Sequence, residues 1–299
     1  MIKIPRKVTK YRLPYMGGKQ DIAFSLIMAM HRKKPQATKF YDLFGGGGSV
    51  SFMALQFGYD VYYNEIQAGI CNLIEFLKTN KVPDEWWTWV CRKKFFEHIG
   101  KTDPYSQMVA LCYSFGNNCV CYAFGEEYEH LKRLGHEVVV HDCDKSRQKL
   151  GIPKLKQKTI KGRRLELAKH IQKVNKNDRG LAPLQYLEQV QRLQQLEQLE
   201  QLNITNKDYK DVNIIGDDVI VYLDPPYRGT AKYNSATKDD GYSINHKELD
   251  EWFLECPHTA FMSEYNAPHN AILEIDKKAL LSATSNSKTI KEKLYWNGK

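Results

Sequence analysis

The stretch Val219-Ile220-Val221-Tyr222-Leu223-Asp224-Pro225-Pro226-Tyr227 constrains the fold more tightly than any other part of the chain. Its β-branched and aromatic run reads as a buried strand. Two successive prolines bring no amide hydrogens to a sheet ladder, so the strand has to stop before them. Asp224 and Tyr227 are thereby held at a strand's carboxyl end, where open α/β sheets place their ligands. An ordinary Asp-Pro-Pro turn is the plainer alternative.

The residue types at that end suit an amine attacking an activated methyl group. An exocyclic base amine is a poor nucleophile because its lone pair is delocalised into the ring. The Asp224 carboxylate and the Pro225 carbonyl are acceptors for its hydrogens, and two acceptors at fixed angles aim the lone pair at the methyl donor. Tyr227 supplies a face on which a flipped-out base can stack.

A chain of 299 residues suits one large α/β domain or one domain carrying an insertion, and 42% hydrophobic residues are enough for a substantial core. The net charge of +9 points to a polyanionic partner. Seven cysteines, with no Cys-x-x-Cys pair, favour neither a disulfide framework nor a zinc ribbon. Cys119, Cys121, His130, His136, His141 and Cys143 cluster in sequence at spacings that match no familiar metal site, so no metal is expected. Reduced thiols fit a cytosolic compartment. The basic amino terminus lacks the apolar core of a signal peptide, and no apolar run is long enough to span a bilayer.

Upstream, residues 11–19 read YRLPYMGGK and lead into a helical pattern of Ile22, Phe24, Leu26, Ile27 and Met30. Gly17-Gly18 lets backbone approach a ligand closely, and Lys19, where the next helix begins, is placed to meet a carboxylate or phosphate; a plain turn is the simpler alternative for Gly-Gly-Lys taken alone. Residues 40–50, FYDLFGGGGSV, join a strand to a helix over 51–57 through four glycines. A second strand, 60–64, ends in Glu65 about twenty residues on, where an acid commonly receives ribose hydroxyls.

From Asn80 onward, Trp86, Trp87, Trp89, Phe95 and Phe96 lie among Arg92, Lys93 and Lys94. That mixture suits either nucleic-acid contact or an amphipathic helix face. A polar loop, YSFGNN (113–118), follows, and residues 144–179 are dominated by lysine and arginine, a block that raises phosphate affinity. Leu181, Leu184, Leu187, Val190, Leu193, Leu196, Leu199 and Leu202 recur every third residue. At about 100° per residue such a stripe winds around an α-helix instead of keeping one face, and a coiled coil needs alternating spacings of three and four. Sequence leaves open an enclosed helix, a turn-rich segment or a functionless repeat. Residues 228–242 read as a mobile flap beyond the site, and 260–265 and 288–296 as further strands.

PYMGGK, FYDLFGGGGSV, YNE, LDPPY and MSEY, in that order, resemble the Dam-like, alpha-class (D12) DNA adenine-N6 methyltransferases. YSFGNN resembles a segment of the family's phage-type members. The resemblance implies an α/β fold, a Rossmann-like seven-stranded, mostly parallel sheet with one reversed strand. It also implies an inserted, mainly helical target-recognition domain. On this reading residues 1–80 and 211–299 form the catalytic domain, and 81–210 the insertion. S-adenosylmethionine is the implied cofactor, with Tyr15, Gly18, Lys19, Asp42, Phe44, Gly45, Gly46, Gly48, Glu65 and Asp224 lining its pocket. Glu65 stands where relatives usually have aspartate, a longer arm carrying the same acceptors. Asp224, Pro225, Pro226 and Tyr227 match the catalytic motif without departure.

The implied partner is double-stranded DNA, contacted by Asn117, Asn118, Lys154, Lys156, Lys158, Arg163 and Arg164. The expected form is a monomer or weak dimer in the cytoplasm of a prokaryotic or phage-infected cell. The resemblance leaves open a cognate restriction endonuclease on another chain. Methylation of cytosine N4 or of an RNA base is the alternative with the same fold. An inactive DNA-binding relative is the alternative without catalysis.

Overall fold

The computed structural model describes residues 2–174, 180–228, 244–279 and 288–299. Its strands are β1 (Lys39–Asp42), β2 (Asp60–Asn64), β3 (Asn203–Thr205), β4 (Val219–Leu223), β5 (Thr259–Glu264), β6 (Ala271–Ala279) and β7 (Lys288–Trp296). They form one seven-stranded sheet in the order β3-β2-β1-β4-β5-β7-β6. The ladders from β3 to β5 are parallel, and β7 runs antiparallel to both neighbours. This is the α/β sheet with one reversed strand that the sequence implied.

Both faces of the sheet are covered. Ile220 and Tyr222 of β4 join one hydrophobic cluster, whereas Val219, Val221 and Leu223 join another. Side chains alternate along a strand, so a run apolar at every position needs a layer on each side. The first layer is built from α1 (Ala23–Lys33), α2 (Ser49–Phe57) and α3 (Ala68–Thr79). In α1 the buried residues are Ala23, Leu26, Ile27 and Met30, the spacing of one helical face. On the opposite layer, Leu249 and Phe253 come from the helix His246–Glu255, whose Asn245 cap accepts from the amides of Lys247 and Glu248.

Between β2 and β3 the chain adds α4 (Arg92–His98), α5 (Pro104–Tyr113), α6 (Glu126–His141), α7 (Asp144–Lys149), α8 (Ile160–Val174) and α9 (Ala182–Leu193); the helix after β4 is α10. Asp103 caps α5, accepting from the Ser106 amide at 2.9 Å, with Pro104 at the first helical position. Every residue of α5 from Ser106 onward is buried, and it packs against α3, α4 and α9. Trp86, Trp87 and Phe95 are also buried in this core, with Trp86 stacked on Phe76 at 5.3 Å. For those three aromatics packing, not contact with a nucleic acid, is the use. One hydrophobic cluster runs through sheet and insertion alike, and residues 203–205, inside the expected insertion, are the sheet's edge strand.

The period-three leucines resolve into two kinds of winding. All eight positions from Leu181 to Leu202 are buried. The first half lies on α9, but from Gln194 the backbone turns to bonds of the i to i−3 type. Examples are Leu196 N to Leu193 O, Leu199 N to Leu196 O and Leu202 N to Leu199 O. A 3₁₀-like winding has about 3 residues per turn, so every third side chain eclipses the last and the stripe stops drifting. Among the described residues no helix is long and apolar enough to cross a membrane.

Candidate active site

The sheet order reverses direction between β1 and β4, and the carboxyl ends of β1, β2 and β4 open into one cleft there. Tyr15, Gly18, Lys19, Asp42, Phe44, Gly45, Gly46, Glu65 and Asp224 all line it, together with Pro226. The wall also includes Met16, Ser49, Ile66, Gln67 and Tyr222, which sequence reasoning did not select. Gly48 is not on the wall. It caps α2 with φ +75°, and a Cβ there would lie 2.3 Å from the Phe52 ring. Its glycine answers to local packing.

Close packing dictates much of the glycine turn. A Cβ on Gly45 would stand 2.0 Å from the ring of Tyr63, whose hydroxyl donates to the Gly46 carbonyl at 2.7 Å. Glu65 closes the turn: its two carboxylate oxygens accept from the amides of Gly46 (2.8 Å) and Gln67 (2.9 Å). Burial pushes the Glu65 carboxyl upward, while those amides oppose the shift. The Gln67 side-chain amide in turn donates to the Tyr15 hydroxyl at 2.9 Å.

Asp42, at the end of β1, is buried and accepts from Ser51 Oγ at 2.6 Å through one oxygen. Among the described residues its other oxygen, Oδ1, has no hydrogen-bond partner, and neither has the buried Ser49 hydroxyl. Burial raises the Asp42 carboxyl to about 7, with smaller contributions from the Asp224 and Glu65 charges. The cleft therefore contains one unfilled acceptor and, at the start of α2, one unfilled hydroxyl.

Across the cleft the charges are already paired. Lys19 Nζ lies 2.7 Å from Asp224 Oδ1 and 3.7 Å from Glu292 Oε1, and sits 4.7 Å from the centroid of the Tyr227 ring. The Tyr227 hydroxyl donates toward Asp224 Oδ1 at 3.1 Å and is also in hydrogen-bond contact with Glu292. Tyr265 packs on Tyr227 edge to face at 4.5 Å. Burial, with the Asp224 and Glu292 charges, pushes the Tyr227 phenol well above its usual value, so it stays a donor. Among the described residues, the ion pair and the hydrogen bond of Asp224 both fall on Oδ1. Glu292, buried on β7, was missed because nothing local to KTIKEKLYW marks it; only its placement behind Tyr227 does.

A family model for D12 class N6 adenine-specific DNA methyltransferases matches residues 15–101 and 169–293. The chain belongs to that family. Its reaction is N6 methylation of adenine in DNA. No curated protein matches the chain. The matched segments of this methyltransferase carry the glycine turn, Glu65, Asp224, Tyr227 and Glu292, and the break at 102–168 falls within the helical insertion.

The residues expected to meet DNA are placed in three different ways. Lys154, Lys156 and Lys158 are exposed on the segment before α8. Arg163 is buried; its guanidinium donates to the carbonyls of Val139 (2.6 Å), Val140 (3.1 Å) and Lys158 (2.5 Å), closing the end of α6. Arg164 holds Glu188 through two bonds of 2.8 and 2.9 Å. Asn117 donates to the Leu111 carbonyl and Asn118 accepts from the amides of Val120 and Cys121, so both shape the turn after α5. The flap expected over 228–242 lies, beyond Arg228, outside the described residues. Arg228 itself pairs with Asp250 at 2.7 Å.

Proposed function

We propose that the cleft binds S-adenosylmethionine on its β1–β2 side and receives, on its β4 side, an adenine flipped out of double-stranded DNA. The observation that carries this reading is the pair of unfilled groups beside the Asp224-Pro225-Pro226-Tyr227 corner. Asp42 Oδ1 lacks a donor, and Ser49 Oγ stands unpaired at the first residue of α2. An amino-acid zwitterion supplies an ammonium for the first and a carboxylate for the second, which the helix start also favours. The residues present therefore fit the methionine end of the cofactor. When bound, the cofactor supplies an activated methyl group on a sulfonium.

Asp224 Oδ2 and the Pro225 carbonyl accept the hydrogens of the target amine. Lys19 and Tyr227 hold Asp224 through Oδ1, so the acceptor is oriented before the base arrives. The Tyr227 ring is the stacking surface. It is 9% exposed, lying under the Lys19 ammonium and against Tyr265, so one of those side chains withdraws as a base enters. Residues 81–210 serve target recognition on this reading, supported by the lapse of the family match at 102–168.

The test is mass-spectrometric nucleoside analysis of DNA incubated with the protein and isotopically labelled cofactor. N6-methyladenine is expected. Label appearing in N4-methylcytosine, or in RNA alone, would replace this reading.

A further inference from the structure

We propose that the groove between residues 10–12 and the helices α8 and α9 seats the sugar–phosphate backbone of the bound DNA. The proposal deepens the reading of this chain as a DNA methyltransferase and rests on it for the polymer.

Five cations line the groove, Lys10, Arg12, Lys161, Arg164 and Arg192, against one lining acid, Glu188. Glu188 is taken by Arg164, and Lys10 by Asp21 on the rim at 2.8 Å. Arg12, Lys161 and Arg192 have no ion-pair partner within 4.0 Å among the described residues. Arg12 is partly buried; its Nε is shielded from solvent without a hydrogen bond, and burial lowers its pKa. The Asp21 charge, already paired with Lys10, offsets only part of the cost of burying that guanidinium, and an anion in the groove would meet the rest. A guanidinium fork also matches phosphate oxygens in shape.

Position supports the same partner. Arg12 Nη1 lies 3.3 Å from where a Gly18 Cβ would be, and Gly18 lines the active cleft. From there the groove continues past Lys161 and Arg192 into the adjoining depression beside Trp87. A backbone laid along it passes the mouth of the cleft that receives the flipped base. Arg12, Lys161 and Arg164 fall outside the residues matched by the family model, whereas Glu188 and Arg192 fall within them, so the groove straddles the edge of the family match. It also differs from the exposed Lys154, Lys156 and Lys158.

The experiment measures anisotropy of a fluorescein-labelled, adenine-containing duplex as a function of salt. It compares wild type, the double variant Lys161→Ala/Arg192→Ala, and the triple variant Lys154→Ala/Lys156→Ala/Lys158→Ala. Both substituted groove positions are exposed, and melting temperature and cofactor affinity are measured on each protein to confirm that folding and cleft are intact. Each lost phosphate contact lowers the slope of log affinity against log salt by about 0.9, so the double variant should lose about 1.8. The triple variant, with more charge removed, should lose less. Replacing Arg12 by Gln should lower the slope further in the double-variant background.

A wild-type slope in the double variant, or a larger loss in the triple variant, overturns the groove. So does binding confined to an RNA duplex of the same sequence. Methyl transfer is scored separately. A groove-dependent slope in a protein that methylates no DNA would keep the groove and end the enzymatic reading. Methylation with an unchanged slope in the double variant would do the reverse.

Discussion

The two walls of the cleft are built from the same materials and left in opposite states. On the β1 side a buried carboxylate, Asp42, keeps one oxygen unfilled beside an unfilled serine hydroxyl. On the β4 side Asp224 already holds a lysine and a tyrosine, with Glu292 behind them. An incoming group adds partners on the first wall and has to share partners on the second. The first wall should therefore report on binding and on pH, and the second on turnover.

The sharpest test of that division is Asp224→Ala. Single-turnover methyl transfer should fall about 10³-fold, the scale for losing a positioned electrostatic group, with the circular dichroism spectrum retained. Asp224→Asn should be milder, since its amide oxygen still accepts. A wild-type rate in Asp224→Ala would remove the catalytic assignment.

Asp42→Asn probes the other wall through pH. With its folded value raised from 3.8 to about 7, Asp42 binds its proton more tightly in the native state. The stability this contributes is present below about pH 4 and is lost as pH rises through about 7. Asp42→Asn should remove that slope and gain roughly 4 kcal/mol at pH 8, at about 1.36 kcal/mol per pKa unit. The same variant should bind cofactor less tightly. Urea unfolding at pH 4 and pH 8 decides it; parallel losses at both pH values would mean the carboxyl is not neutral in the fold.

Glu292→Ala tests whether the second wall extends to β7. The expected cost is about 1.5–3 kcal/mol, that of a hydrogen bond to a charged group. It should appear in kcat with cofactor affinity unchanged, and Glu292→Gln should recover much of it by still accepting from Tyr227. An equal fall in melting temperature and kcat for both variants would reduce Glu292 to a packing residue.

Glu65→Ala should weaken cofactor binding by about 1–3 kcal/mol, read by calorimetry. Part of that loss comes from freeing the Gly46 and Gln67 amides. Unchanged affinity would take Glu65 off the binding wall. The smallest effect is expected for Tyr227→Phe, about 0.5–1.5 kcal/mol in turnover. Sequence alone gave the hydroxyl no duty, since stacking uses the ring, whereas the structure places it between two carboxylates. Tyr227→Ala should be worse, with a stacked base worth about 1–3 kcal/mol. Equal rates for Phe and Ala would make the hydroxyl, not the ring, the requirement.

What could be read from sequence was local. Pro225 and Pro226 end a strand wherever they occur, because neither brings an amide hydrogen. Four glycines between a strand and a helix, with an acid about twenty residues on, encode a turn and its closing partner within one strand–helix–strand unit. Those signals located Glu65 and Asp224, the family resemblance added Asp42, and the structure brings the three to one cleft.

Tertiary structure decided whatever depended on a distant partner. Glu292 reaches the site because β7 pairs with β5, which pairs with β4; its sequence neighbours say nothing of Tyr227. Arg163 and Arg164 look alike in a basic run, yet one closes helix α6 and the other holds Glu188, while Arg12 and Lys161 face the groove. The leucine tract shows the same limit. Its spacing is fixed in the sequence, but whether three residues make a full turn depends on the backbone's hydrogen bonds, and these change from α-helical to 3₁₀-like at Gln194. Sequence sets which groups a short segment can offer; only the packed chain settles which of them are already answered.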